Sequence, residues 1–312
     1  MAAARAGTCS RSASAPSTAS AWWTDCRASA ARRACARPGS SPGGQVATAA
    51  RALARLGLRV GLVTSIGDDG AGERALAPLA DDGVERVAVK RVPGAASQLA
   101  FILVDRTSGE RTVLWHRDPR LALEPADLSR DDLTDVRLLH LDAGDPETAA
   151  WAAGVAREAG VPVLLDADAW SPELGPLLER VDFPIVSREL AEALGGPRAA
   201  LEELAARGAR FPVVTLGAEG CLAGAPPGRA SPAFAVEARD TTGSGDVFHA
   251  AFGWALLEGL DAAGVLRAAN AAAALSCRAV GAQGALPTRE ELEAFLAASP
   301  EPGAQEVDPG GR

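Results

Sequence analysis

Residues 1–40 contain no Leu, Ile, Val or Phe. They carry six Arg against the single acid Asp25, a charge of +5, which leaves −14 for the rest of a chain whose net charge is −9. A segment with so little to bury has the composition of a disordered tail or of an organelle transit peptide. A start translated in the wrong reading frame is a third explanation.

Other absences restrict the class of protein. No apolar stretch approaches the roughly eighteen residues of a membrane span, and no Lys/Arg run exceeds two residues, which argues against membrane and nucleic-acid partners. The 312 residues, 47% of them hydrophobic, predict a soluble globular protein with a sizeable core. The five Cys include no C-x-x-C pair, and Cys221 and Cys277 are predicted to be reduced core thiols of a cytoplasmic protein.

From Gly43 onward, short apolar runs alternate with helical patterns, which predicts βαβ units and a mostly parallel sheet. Between 84 and 116 three runs follow one another without a helix, and their alternation predicts a small antiparallel flap. The sequence therefore predicts an α/β domain over 41–298 and a disordered tail over 299–312. The predicted strands are 60–65, 84–89, 99–104, 112–115, 138–141, 163–166, 185–187 and 213–216, and the predicted helices are 46–56, 72–79, 148–159, 198–206, 246–258, 262–277 and 290–297.

The most informative stretch is D-T-T-G-S-G-D over 240–246, which leads directly into an apolar helix. Glycines permit a tight turn and close approach of the backbone to a ligand, and a helix N-terminus offers free N–H groups to an anion such as a phosphoryl group. A carboxylate at Asp246 would repel a bare phosphate, so it is interpreted as a base acting on a nucleophile in front of that phosphate. A plain helix N-cap after a glycine turn is the structural alternative.

This motif resembles the C-terminal signature of the ribokinase-like (PfkB) carbohydrate kinases. Further motifs resemble the same family in the same order: G-G-Q-V-A-T-A-A from Gly43, I-G-D-D-G from Ile66, T-L-G-A-E-G from Thr215, and A-N-A-A-A-A from Ala269 with G-A-Q from Gly281. The resemblance covers residues 43 to about 296. It implies a three-layer α/β/α fold with a mostly parallel central sheet and a small β flap, or lid.

The resemblance also implies ATP-dependent phosphorylation of a sugar hydroxyl. Asp246 would be the general base, and the backbone N–H groups of Gly243, Ser244, Gly245 and Asp246 would form the anion hole. The residues implied for ATP are Thr215, Gly217, Gly220, Thr242 and Asn270, and those implied for the sugar are Gly44, Gln45, Thr48 and Asp246. For Asn270, a solvated polar position on an Ala-rich helix is the alternative, and for His249 packing is favoured over catalysis.

The residues implied for metal binding match the family's motifs less well than the residues implied for ATP and sugar. The family holds Mg²⁺ through water with an N-x-x-E segment, and the corresponding V-S-R-E at 186–189 is more similar to ketohexokinase. Glu189 is therefore the candidate for Mg²⁺, with an exposed helix-end acid as the alternative. Asp240, together with backbone carbonyls near Thr242 and in the loop 281–285, is the candidate for a monovalent cation such as K⁺.

The sequence leaves several alternatives for the molecule that accepts the phosphoryl group. Thr48 stands where the family usually has Asn, and the segment 186–189 favours a ketohexose such as fructose, with ribose or a nucleoside as alternatives. The family begins with a V-x-V-x-G strand and a sugar-binding Asp, which residues 1–40 lack. We therefore expect the first strand to be missing or replaced, which favours the reading-frame explanation over a transit peptide. A catalytically impaired sugar- or nucleotide-binding protein is the alternative function, and the family resemblance implies a homodimer through the flap.

Overall fold

The computed structural model describes residues 3–7, 11–12, 41–104, 111–224 and 228–299. The predictions for the remainder of residues 1–40, including Cys9, Cys26 and Cys35, and for 300–312 lie outside the described residues. The strands are β1 (Ala3–Gly7), β2 (Arg11–Ser12), β3 (Pro42–Gly43), β4 (Arg59–Gly67), β5 (Glu85–Val92), β6 (Leu99–Val104), β7 (Arg111–His116), β8 (Leu138–Asp142), β9 (Val163–Ala167), β10 (Phe183–Ser187), β11 (Val213–Thr215), β12 (Cys221–Ala223) and β13 (Arg229–Ser231). The α-helices are α1 (Gln45–Arg55), α2 (Gly70–Asp81), α3 (Arg130–Thr134), α4 (Pro146–Glu158), α5 (Leu174–Leu178), α6 (Arg188–Ala193), α7 (Pro197–Ala206), α8 (Ser244–Leu257), α9 (Ala262–Ser276) and α10 (Arg289–Ala298).

Nine strands form one sheet in the order β13-β12-β11-β10-β9-β8-β1-β4-β5. Seven strands that are adjacent in the sheet pair in parallel, in the order β11, β10, β9, β8, β1, β4 and β5. Beyond β11, β12 and β13 extend the sheet as antiparallel strands. One apolar cluster packs α1, α8 and α9 on one face of the sheet, and a second packs α4, α5, α6 and α7 on the other. The predicted three-layer α/β/α fold is thereby confirmed. Within the part of the chain that the structure describes, no helix combines the length and the apolar character needed to cross a membrane.

The first strand, which the sequence predicts to be missing or replaced, is supplied by residues near the start of the chain. Ala3–Gly7 pairs in parallel with both β4 and β8, with Ala4 opposite Val60 on one side and Leu138 on the other. The segment lacks β-branched residues, so its pattern does not predict a strand. Its backbone nevertheless offers the N–H and C=O groups that a parallel ladder needs. The first strand is therefore replaced by an Ala-rich one rather than missing.

The flap is smaller than predicted, because one of its three predicted strands belongs to the main sheet. Its first predicted strand belongs to β5, which pairs in parallel with β4 at the edge of the main sheet. Of the three predicted flap strands, two form a separate antiparallel pair, β6 with β7. The short strands β2 and β3 form another two-stranded antiparallel sheet. Alternation along the chain could not distinguish an edge strand of the large sheet from a strand of a small one, since both have one face against protein.

The helix α8 is apolar on nearly every side, and nine of its residues, from Val247 to Ala255, are buried. Gly253 lets the helix approach the sheet closely, because a Cβ atom there would lie 2.9 Å from Cδ2 of Leu138. The close packing of α8 fixes where its N-terminus lies. That N-terminus opens into the same cleft as residues at the carboxyl ends of β9 and β11.

Candidate active site

A cleft of about 250 Å³ opens at the carboxyl ends of the parallel strands, the usual position for ligands in open α/β sheets. Loops and helix ends from both halves of the chain contribute to it. Its lining includes Gly44, Gln45, Asp166, Asp168, Thr215, Thr242, Gly243, Gly245, Asp246, His249 and Ala282, and Ala100, Ile102 and Val113 of the flap.

The turn before α8 is held in place by Asp240. One carboxylate oxygen of Asp240 accepts the N–H of Thr242 at 2.8 Å, and the other accepts the N–H of Gly281, also at 2.8 Å. Gly243 has a left-handed φ of 79°, and a Cβ atom added to it would lie 2.7 Å from the carbonyl oxygen of Ala282. The turn therefore requires glycine for its conformation and for its contact with the second loop.

Behind this turn, α8 presents its N-terminus to the cleft. The N–H groups in the first turn of a helix have no partner within the helix, and they carry the positive end of its dipole. Gly243 is the N-cap residue and has no side chain with which to occupy those groups. Asp246 lies in the first turn, half-buried, and lines the cleft beside Gly243 and Gly245. The predicted anion hole and predicted base are thus brought together.

Gln45, which begins α1, also lines the cleft and contacts two carboxylates. Its amide nitrogen lies 2.8 Å from Oδ2 of Asp168 and 3.3 Å from Oδ2 of Asp166. Asp166 is buried, whereas Asp168 is exposed toward the cleft. Sequence reasoning missed both aspartates. The available signal was a pair of acids at the end of a buried strand, where the carboxyl ends of parallel strands collect functional groups.

Thr48 does not lie with these residues. It is fully buried on α1, and its hydroxyl accepts a hydrogen bond from the amide of Gln283 at 3.2 Å. The side-chain oxygen of Gln283 in turn accepts a hydrogen bond from Arg51 at 2.8 Å. The expectation that Thr48 contacts sugar therefore finds no support in its position, which instead joins α1 to the loop before α10.

The residues predicted to bind ATP lie in different places in the structure. Thr215 and Thr242 line the cleft, while Gly217 and Gly220 form the turn between β11 and β12. Gly220 has a φ of 95°, and a Cβ atom there would meet the carbonyl oxygen of Ser231 at 2.1 Å.

Asn270 is buried on α9, away from the cleft lining. Its amide donates to the carbonyl oxygen of Ser231 at 3.2 Å and to its hydroxyl at 3.0 Å. The predicted contact of Asn270 with adenine or ribose finds no support in this arrangement, and neither does the solvated alternative. The side chain joins α9 to the strands that carry the glycine turn.

Two buried histidines lie beneath the cleft. The rings of His140 and His249 stack with their centroids 6.0 Å apart. Burial, together with the charge of His249, lowers the pKa of His140 to about 3. Burial also lowers the pKa of His249, although the charge of Asp168 and the carbonyl groups of Gly245 and Ile185 oppose that shift. Both effects follow from the cost of holding a charge away from water.

The candidate for Mg²⁺, Glu189, is exposed in the first turn of α6. It follows Ser187 by two residues, and Ser187 pairs across the sheet with Thr215 of the cleft. Among the described residues no three His, Cys, Asp or Glu side chains form a protein-only metal site. Glu189 is not among the residues that line the cleft. A single exposed carboxylate is compatible with Mg²⁺, which keeps several waters and is held largely by substrate phosphates.

Comparison with known proteins decides the family. The family model described as pfkB family carbohydrate kinase matches residues 23–289. The chain belongs to the pfkB family of carbohydrate kinases. It is therefore a phosphotransferase, as the motif at 240–246 predicts.

Individual relatives agree with this family. The chain is 34% identical over 264 residues to an ATP-dependent ribose-1-phosphate kinase of Halopiger xanaduensis, covering 82% of this chain and 86% of the relative. It is 32% identical over 260 residues to ribokinase of Bacillus subtilis, covering 82% and 87%. Both relatives are sugar kinases, so the chain is similar to kinases that differ in their acceptor.

Solved structures of the family share the fold. A putative ribokinase from Agrobacterium tumefaciens matches with a TM-score of 0.81 at 28% identity, covering 95% of this chain and 97% of that one. A putative ribokinase II from E. coli, in complex with ATP and Mg²⁺, matches with a TM-score of 0.76 at 21% identity, covering 95% and 100%.

The contact between Gly243 and Ala282 predicts the effect of Gly243→Ala. A left-handed φ costs an L-residue about 1–2 kcal/mol, and the collision with Ala282 adds about 1–3 kcal/mol. Gly259→Ala is the matched control, because Gly259 has a φ of 78° but nothing within 4 Å of an added Cβ atom. Urea unfolding should show the larger loss of stability for Gly243→Ala. Equal losses for the two variants would contradict the close approach.

Proposed function

We propose that the chain transfers the γ-phosphoryl group of ATP to a hydroxyl of an uncharged sugar, such as a ketohexose or ribose. The observation that carries this proposal is the cleft itself, which the turn at Gly243 and Asp246 line together with Gln45 and Asp168. A helix N-terminus suits the charged phosphoryl group, and amide and carboxylate groups suit sugar hydroxyls.

In this proposal Asp246 accepts the proton of the sugar hydroxyl as its oxygen attacks phosphorus. The N–H groups of Gly243, Gly245 and Asp246 stabilise the negative charge on the transferring group. The predicted contribution of Ser244 is not supported, because its N–H donates to the carbonyl oxygen of Thr241 at 3.2 Å. Gln45, Asp168 and the backbone of Gly44 orient the acceptor. Because Gln45 donates to both Asp166 and Asp168, its side chain is already held before a sugar binds.

ATP would lie between the turn at Gly217 and Gly220 and the start of α8, next to Thr215 and Thr242. Glu189 would hold Mg²⁺ through water, and the bound ion would neutralise charge on the phosphates. A role for Asp240 in binding K⁺ stays a prediction. Its bonds to Thr242 and Gly281 support a role in shaping the turn.

The electrostatics of the cleft favour an uncharged acceptor. Asp166, Asp168 and Asp246 bring three carboxyl groups to its lining, and the described residues that line it include no Lys or Arg. A phosphate or carboxylate on the acceptor would meet this negative field without a cation to pair with. A neutral pentose or hexose avoids that repulsion.

Asp246→Asn tests the proposed base. Removing a general base lowers rates by about 10²–10⁴-fold, so we expect kcat to fall by at least about a hundredfold, while the dissociation constant for ATP changes by no more than a few-fold. Asp261→Asn is the matched control, because Asp261 caps α9 by accepting the N–H of Gly264 at 2.8 Å and Asn caps helices equally well.

Turnover by Asp246→Asn at the wild-type rate would rule out the assigned role. A wild-type chain that binds ATP but phosphorylates no sugar would instead support the alternative of an impaired binding protein. ADP release and isothermal titration calorimetry measure the two quantities separately.

A panel of acceptors tests the predicted charge preference. We expect kcat/KM for fructose or ribose to exceed that for ribose 1-phosphate by about a hundredfold or more, since like charges in a cleft cost several kcal/mol. Asp168→Asn removes one of the carboxylates and should narrow the ratio. A wild-type preference for ribose 1-phosphate would overturn the uncharged-acceptor proposal, and adenosine in the same panel tests a nucleoside acceptor.

The flap supports a proposed homodimer. Ala100, Ile102 and Val113 line the cleft, so by strand alternation Phe101 and its partner Leu114 lie on the opposite face. Phe101 is 41% exposed, and a lone two-stranded pair is marginally stable unless something covers it. A second copy of the chain, docked by its own flap, would cover both outer faces at once.

Phe101→Asp should shift this dimer toward monomer in size-exclusion chromatography with light scattering. Val280→Asp is the control, because Val280 is an exposed apolar residue away from the flap, at 76% exposure. A wild-type chain that runs as a monomer at all concentrations would contradict the proposal.

A further inference from the structure

His249 makes a short polar contact that packing alone does not require. It lies on α8 one turn after Asp246, and its ring nitrogen Nδ1 is 2.5 Å from the carbonyl oxygen of Gly245. A carbonyl oxygen can only accept, so Nδ1 carries the proton and donates it. The side chain of His249 is only 5% exposed, so water competes little for this bond.

The carbonyl of Gly245 belongs to the peptide that carries the N–H of Asp246. Because a peptide is planar, a hydrogen bond that fixes the direction of its C=O also fixes the direction of its N–H. A bond accepted by the C=O additionally polarises the peptide and makes its N–H a stronger donor. The N–H of Asp246 is one of the groups that face the proposed phosphoryl position.

The other edge of the ring faces Asp166. Its Nε2 lies 3.5 Å from Oδ1 of Asp166, whose side chain is 3% exposed. The second oxygen of Asp166 lies 3.3 Å from the amide nitrogen of Gln45. A continuous series of polar contacts therefore runs from Gln45 through Asp166 and His249 to the peptide of Gly245.

The contact between Nε2 and Oδ1 at 3.5 Å is a charge contact, and Nε2 has no hydrogen-bond partner among the described residues. The bond at the other edge does not depend on the charge of the ring, because a carbonyl oxygen can only accept and Nδ1 must donate to Gly245. The charge of Asp168 also faces the ring, while stacked His140 stays neutral at ordinary pH.

We propose that His249 is a positioning residue that aims the N–H of Asp246 at the transferring phosphoryl group, and that Asp166 holds its ring in the required orientation. This inference rests on the proposed function, because it assigns His249 a part in the same phosphoryl transfer. It assigns no proton transfer to the substrate.

Three substitutions at His249 separate the two contacts. His249→Leu removes both, His249→Gln keeps a polar atom near Asp166, and His249→Asn keeps a donor near the carbonyl of Gly245. One lost hydrogen bond of about 1.4 kcal/mol corresponds to a tenfold change in rate. We expect kcat to fall about tenfold or more for the Leu and Gln variants, with KM for ATP within about threefold, and we expect His249→Asn to recover most of that loss.

His140→Leu is the matched control. His140 is equally buried and stacks on His249, but neither of its ring nitrogens has a hydrogen-bond partner among the described residues. A purely structural role for the buried rings predicts that thermal stability and kcat change alike in His140→Leu and His249→Leu. The proposal predicts a kcat within about twofold of wild type for His140→Leu alone. Equal losses in the two Leu variants, or no rescue by Asn, would overturn it.

A measurement without substrate separates this inference from the proposed function. The amide signal of Asp246 in ¹⁵N NMR spectra should move in His249→Leu and return toward its wild-type position in His249→Asn. If the wild-type chain turns over no sugar, the proposed function fails while the amide signal still tests the positioning contact. The positioning role alone fails if three results are found together. The wild-type chain is active, Asp246→Asn is inactive, and the amide signal of Asp246 does not respond to substitutions at His249.

Discussion

The carboxylate of Asp240 holds together the geometry on which the cleft depends. It accepts N–H groups from two loops, at Thr242 and at Gly281, each at 2.8 Å. With the loops tied in this way, Gly243 lies against Ala282 at a distance that no side chain would permit. The first turn of α8 is therefore presented by a preorganised loop, which is the condition for electrostatic stabilisation of a developing charge.

The helix α8 connects this turn to the core. Its apolar surface packs on the sheet and on α1 and α9, and Gly253 allows a close contact with Leu138. The same helix carries Asp246 at its exposed start and His249 one turn deeper. A change in how α8 packs would thus change the direction of the groups that face the phosphate, so the stability of the core and the geometry of the cleft are linked.

Much of the fold could be predicted from local patterns. The predicted helices and strands around α1, α4, β8 and β9 end within about two residues of the observed ones, because apolar periodicity and Gly or Pro stops act over short distances. Ala3–Gly7 escaped prediction because its place in the sheet depends on backbone pairing rather than on β-branched side chains. The strand β5 was assigned to the flap because alternation does not identify the neighbouring strand.

The sequence alone determined the family resemblance, the glycine turn, the helix behind it and the place of Asp246, since these are contiguous along the chain. Only the tertiary structure decided which polar residues share the cleft. Thr48 accepts a hydrogen bond from Gln283, 235 residues away, and Asn270 donates one to Ser231. Asp166, in contrast, contacts both His249 and Gln45. The physical reason is that a buried polar group must find its partner through the fold, and separation along the chain carries no information about that distance.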